Sequence, residues 1–279
     1  MELETAKTIV DTVANASKEG GAGWIMHHIL DSREFDFEPF GTIHLPEIHL
    51  FGFDISITKH IIFMWLAFFI LVGIFYFVGK SYKKSIVPKG MTNVMEILIV
   101  FVRDDIVKPT IGAGYEKFLP YLLTIFFFIL TLNFLGLFPY GSTATSNIAV
   151  TATLATISFI VIQGGGMIKN GVFGYFKGLM PHGIPILLTP ILFVVEILGL
   201  FTKPFALAVR LFANMTAGHI VILSLFGLIF ILKTYFVAPV SISFALFIYL
   251  LEILVALIQA YIFTILSSLF IGMAIHQEH

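Results

Sequence analysis

Five polar side chains, Glu196, Lys203, Arg210, Asn214 and His219, interrupt an otherwise apolar run, EILGLFTKPFALAVRLFANMTAGH. Ionisable groups inside a lipid-embedded segment are costly and by default mark an ion or substrate path. At about 100° per residue, Glu196, Lys203, Arg210 and Asn214 fall within roughly 40° of one another and form one stripe on a helix. His219 points about 180° from Arg210 and lies roughly 13.5 Å further along the axis, so it must face a different neighbour. A second polar set, Glu252 and Gln259, shares one helical face within about 20°. An acid and an imidazole brought within reach of each other can pass a proton, so a hairpin that carries Glu252 toward His219 would make a relay. The alternative is that these groups only join transmembrane helices by hydrogen bonds. Arg210 itself cannot relay a proton, because its guanidinium stays protonated. Opposite a carboxylate at about 4 Å it would contribute on the order of 4 kcal/mol of Coulomb attraction at an effective dielectric of 20, before desolvation. The spans offer it no obvious internal acid except Glu196, about four turns away, which implies a partner subunit.

The elements that must hold these residues are membrane helices. Of 279 residues 58% are hydrophobic and 12% charged, and the mean hydropathy is +0.98; the chain reads as an all-α integral membrane protein. The net charge of −1 excludes the basic field that nucleic acid requires. With no cysteine there is neither a disulfide framework nor a thiolate metal site. The acidic N-terminus lacks the basic stretch and short apolar core of a signal peptide, so the first span is expected to stay as an anchor.

Residues 1–59, with ten acidic and four basic side chains, read as a polar, irregular extramembrane arm on the outer side. His27, His28, His44 and His49 show no tight ligand spacing, and no metal or cofactor is expected. Residues 60–279 form the transmembrane domain. The first span covers Ile61 to Gly79, and Lys80, Lys83, Lys84 and Lys89 after it mark the cytoplasmic end by the positive-inside rule. Met91 to Val107, apolar but carrying Glu96, Arg103, Asp104 and Asp105, reads as an interfacial helix. Spans follow at Phe118–Phe138 and Ile148–Ile168, joined outside by FPYGSTATSN. The Gly164–Gly166 triplet is no phosphate loop, having neither a preceding strand nor a following Gly-Lys-Ser/Thr. Two apolar stretches, Ile186–Leu232 and Ser241–Ile275, are too long to cross upright; each either breaks into two spans or crosses steeply tilted, and two long tilted helices in a hairpin, making five crossings, are the preferred reading.

The runs KPFALAVRLFANMTAGHIV and LLEILVALIQAYIFTILSSLF, with LNFLGLFP earlier, resemble subunit a of the rotary F-type ATP synthase, the stator of its membrane sector. The resemblance implies about five crossing helices, the last two packed on a ring of c subunits, and b subunits of the peripheral stalk as further partners. It implies that Arg210 is the gate facing the ring carboxylate. Asn214, His219, Glu252 and Gln259 would belong to the outer half-channel and Glu196 to the cytoplasmic one. Lys203 would snorkel or support structure. In parts of the bacterial family an acid stands where His219 is and a histidine where Glu252 is, so this chain carries the exchanged pair. Proton use and a bacterial plasma (inner) membrane are the corresponding expectations, with no nucleotide bound by this chain.

Two rivals compete. In a self-contained transporter Arg210 would bind an anionic substrate, but no internal repeat is visible. In a scaffold the stripe would be incidental. The terminal HQEH could offer His276, Glu278 and His279 to a metal, though a solvated terminus is the simpler reading.

Overall fold

The computed structural model describes residues 31, 34–37, 41–46, 49–50, 53–54, 56–83, 89–138, 141, 143–178, 189–232 and 236–276. His27, His28, Glu278 and His279 lie outside them.

Two short antiparallel hairpins come first: β1 (Glu34–Phe37) with β2 (Gly41–His44), and β3 (His49–Leu50) with β4 (Phe53–Asp54). This corrects the irregular reading of the arm there. The alternation of polar and apolar residues in EFDF is a strand signal, masked by the surrounding turn residues. Among the described residues eight α-helices follow. They are α1 (Lys59–Tyr82), α2 (Met91–Val100), α3 (Lys108–Ile111), α4 (Leu119–Leu137), α5 (Ile148–Asn170), α6 (Val172–Gly178), α7 (Thr189–Leu232) and α8 (Val237–Ile275). Five of them, α1, α4, α5, α7 and α8, are long and apolar enough to cross a membrane, so the protein is an all-α integral membrane protein in its spanning part.

Lipid offers backbone groups no hydrogen bonds, which is why unbroken helices carry these segments. Trp65, Phe68, Phe69, Tyr76 and Phe77 stand exposed on α1, as a lipid-facing helix requires. The 44 residues of α7 extend about 66 Å at 1.5 Å per residue. That is about twice the hydrocarbon core, so the helix must run obliquely or project beyond it. Pro204 lies inside α7 without ending it.

The stretch from Met91 to Ile111 is helical throughout, but Phe101–Val107 takes the π register, which the sequence did not announce. Pro109 has no N–H for Asp105 and would crowd its carbonyl in an α-helix. Shifting the ladder, with the Lys108 N–H bonded to Arg103 O, loosens the turn ahead of the proline.

The described chain forms two compact units. One comprises Met1–Trp65, Leu132–Asn147 and Ala213–Ala256; Leu132, Ala144, Met215 and Ala256 are buried in it. The other comprises Leu66–Thr131, Ile148–Phe212 and Leu257–His279, with Val102, Ile106, Leu122, Ile129, Phe263 and Ile271 in its core. In this second unit α3 is stapled to α8: Thr110 Oγ1 and Ser268 Oγ are 2.5 Å apart, and a side chain at Gly272 would collide with Thr110 O. The Asn170 amide donates to the carbonyls of Ala274 (3.0 Å) and Ile275 (3.4 Å), capping two of the groups that a helix C-terminus leaves unmet.

Candidate functional site

In the first unit, α7 and α8 bring His219 and Glu252 together, thirty-three residues apart in sequence, with Nδ1 and Oε1 at 2.5 Å. The carboxyl is only 4% exposed. The packing that allows this is specific. A Cβ on Gly218 would lie 2.7 Å from Glu252 Oε1, so the glycine beside His219 makes room for the acid.

The other ring nitrogen is also engaged. Nε2 lies 2.6 Å from Thr143 Oγ1 and 3.2 Å from the carbonyl of Gly136. Because that carbonyl only accepts, a proton on Nε2 has a partner, and the hydroxyl can donate or accept. The remaining proton lies between Nδ1 and the carboxyl. Imidazolium with carboxylate, or imidazole with carboxylic acid, both satisfy the same contacts, so the proton can shift without moving a heavy atom.

A buried frame holds these groups. Thr143 to Ser146 are all buried, and Ala144–Ser146 form a 3-10 turn. The Thr145 hydroxyl donates to Asn133 Oδ1 (2.9 Å), and the Asn133 amide donates to Ala256 O on α8 (3.3 Å). The Tyr249 hydroxyl donates to Leu137 O (2.9 Å), joining α8 to the end of α4. Any side chain at Gly136 would run into Thr143. Thus Gly136 leaves the space that Thr143 fills, and Gly218 the space that Glu252 fills.

The second unit contains a cavity of about 350 Å³ whose lining includes Gln163, Tyr175, Glu196, Lys203, Met273 and His276. The Tyr175 hydroxyl donates to Gln163 Oε1 at 2.6 Å; burial raises its pKa, against a smaller opposing contribution from that hydrogen bond. Lys203 Nζ stands 5.3 Å from the centre of the Phe270 ring, a cation–π arrangement. Glu196 and Lys203 of the predicted stripe therefore share a cavity.

Arg210 is exposed and makes no hydrogen bond or ion pair among the described residues. On α7, Ala206, Ala213, Asn214 and Ala217 are exposed as well, so small residues flank the guanidinium. Gln259 is buried.

The structure thus joins His219 to Glu252, a contact that the sequence left open, and adds Thr143, Gly136, Asn133, Thr145 and Tyr249, which sequence reasoning missed. LNFLGLFP and the polar TATS run were the available signals. They were read as family likeness and as an outer turn.

A family model described as ATP synthase A chain matches residues 61–272. The chain is 59% identical to ATP synthase subunit a of Chloroherpeton thalassium over 258 residues, covering 91% of this chain and 77% of that protein. It is 56% identical to ATP synthase subunit a 2 of Chlorobaculum tepidum over 273 residues, with 96% and 77% covered. To ATP synthase subunit a of an Anaeromyxobacter species it is 46% identical, with 93% and 67% covered.

Proposed function

The chain belongs to the ATP synthase A chain family, and from that premise we propose how its polar groups divide the work of moving protons. It is a multi-pass membrane protein and a membrane-sector subunit of ATP synthase. In the proposed mechanism it is the stator of that sector, held by b subunits of the peripheral stalk and apposed to a ring of c subunits in a bacterial plasma (inner) membrane.

A proton from the outer side passes through Thr143, His219 and Glu252 to a carboxylate on the ring. Asn214 and Gln259 serve the same outer path. After rotation the proton leaves on the cytoplasmic side by way of Glu196 and its cavity. Arg210 gates the two. As a permanent cation it favours the ionised ring carboxylate, so each carboxylate gives up its proton before passing. A direct leak past the guanidinium would require a proton to cross a fixed positive charge. Each charge that crosses yields about 2.3 kcal/mol per 100 mV, and offset paths turn that yield into rotation because ions must ride the ring. ATP chemistry is left to other subunits.

The observation that carries this reading is the buried His219–Glu252 contact with Thr143 on the far ring nitrogen. It supplies both protonation states of a relay with satisfied hydrogen bonds. The test uses inverted membrane vesicles in which Arg210→Ala complexes are shown to assemble, with ATP-driven acidification and passive proton leak recorded together. Loss of pumping with a raised leak is expected. Normal pumping would reject the gate and favour a scaffold.

A further inference from the structure

The first unit holds another titratable pair that the relay does not use. His60, at the start of α1, is 2% exposed. Its Nδ1 lies 3.1 Å from Asp31 Oδ1 of the N-terminal arm and 3.3 Å from Asn147 Nδ2. The Asn147 amide also donates to Asp31 Oδ2 at 3.5 Å, and the His60 backbone N–H donates to Asp31 Oδ1 at 3.5 Å. Asp31 therefore ties three things together: the arm, the first turn of α1, and the last residue of the outer turn.

That turn is stiff. Ser146 N and Ser146 Oγ both donate to Thr143 O, at 2.9 and 2.7 Å, and Asn147 N donates to Ala144 O at 3.1 Å. Asn147 sits at one end of it, and Thr143, the residue bonded to His219 Nε2, sits at the other. With so few free dihedrals between them, a shift of Asn147 must be passed to Thr143. The imidazole chemistry favours a fixed tie. His60 Nε2 is buried without a partner among the described residues. An orphaned N–H costs more than an unmet lone pair, so a neutral ring carries its proton on Nδ1 and donates it to the Asp31 carboxylate; the Asn147 amide, itself a donor, is then held by Asp31 Oδ2 and not by the ring.

We propose that Asp31 and His60 form a clamp through which the N-terminal arm positions Thr143 against His219. This rests on the reading of Thr143, His219 and Glu252 as the outer proton path. The arm, otherwise only an extramembrane appendage, thereby takes part in setting the rate of proton entry. Asp31 and His60 are positioning residues here; the proton need not pass over them.

The chain contains no cysteine, so a pair of thiols can be placed without background from this subunit. In complete complexes carrying D31C and N147C, passive proton conduction through the membrane sector is measured with the thiols free and after closing them by oxidation or with a short bis-thiosulfonate. Free thiols should slow conduction roughly tenfold, the scale of effect that a misplacement of under an ångström produces. Closing the link should restore it. Conduction that stays normal with free thiols overturns the clamp. So does slow conduction that cross-linking fails to restore, because the groups would then matter chemically and not for position. If the double variant is missing from purified complexes, Asp31→Ala serves, its side chain being 28% exposed: slowed conduction with normal assembly supports the clamp and unchanged conduction rejects it. Glu252→Gln in parallel separates the two readings. Normal conduction in that variant rejects the proton path itself, whereas its loss beside an unaffected D31C/N147C pair rejects only the clamp.

Discussion

Nine residues separate Arg210 from His219 on α7, and the chain treats the two in opposite ways. His219 has both ring nitrogens bonded to oxygens of its own chain. Arg210 stands exposed among alanines, and no acid among the described residues approaches it. An intramembrane cation left without a counterion is expensive. The contrast teaches that His219 finds its partners within the chain, whereas Arg210 finds none among the described residues. On the proposed function, a relay that must keep a set geometry would be built from rigid, internal contacts, and a gate that must meet a succession of carboxylates would have none of its own.

The sharpest way to break this comparison is to neutralise each site in turn. Glu252→Gln keeps the shape of the buried side chain but can no longer carry a proton. It should cut proton conduction by about a hundredfold, the lower end of what a positioned acid or base contributes. Unlike Arg210→Ala, it should not raise the passive leak. A leak in the Glu252 variant would mean that both sites act as gates. Next in size, the double exchange of His219→Glu with Glu252→His keeps one acid and one imidazole in contact. It should conduct better than either single change, and a double variant no better than the worse single would show that the two positions are not interchangeable. Gly136→Ala should slow conduction by roughly tenfold, because the added methyl pushes Thr143 from His219 and misplacement is costly. The corresponding change at Gly199, where no atom lies within 4 Å of an added Cβ, should leave conduction near normal. Equal losses at both positions would discount the steric argument.

The smallest effect concerns pH. Burial alone would raise the Asp31 carboxyl, but its hydrogen bonds with His60, aided by one from Thr58, outweigh burial and hold it below the usual carboxylate value. A group lowered on folding contributes stability that is present above its unfolded pKa, about 3.9, and lost as pH falls through the folded value. The part of the arm's attachment that Asp31 carries should thus be constant from neutral pH down to about 5 and be lost only in acid. Amide exchange near Asp31 reads this directly. The Asp31→Asn variant should lack the acid-dependent part, and an unchanged profile in that variant would assign the loosening to another group.

Much of the architecture was legible beforehand because lipid imposes a simple rule: a span is an apolar run of sufficient length. The first span was read as Ile61 to Gly79 and extends from Lys59 to Tyr82. The polar residues at its ends lengthen a helix that hydropathy alone would stop. The hairpins at residues 34–54 were missed because strands of four residues and fewer leave little periodicity to read. The π turn escaped because Pro109 acts on a carbonyl four residues earlier, which a hydropathy pattern does not register.

Within a helix, a fixed rotation per residue determines which side chains share a face, so sequence alone placed Glu196 and Lys203 in one stripe and turned His219 away from Arg210. It also raised the expectation of a partner for Arg210, since a guanidinium keeps its charge and the spans offered no acid but Glu196, about four turns away. Which helices become neighbours is a different question. Thr143, His219 and Glu252 meet across 76 and 33 residues, and nothing local specifies that meeting. Two glycines, a buried asparagine and a 3-10 turn decide it through close packing, in which a single methyl group is enough to exclude one arrangement. Phase belongs to the sequence; contact belongs to the packed interior.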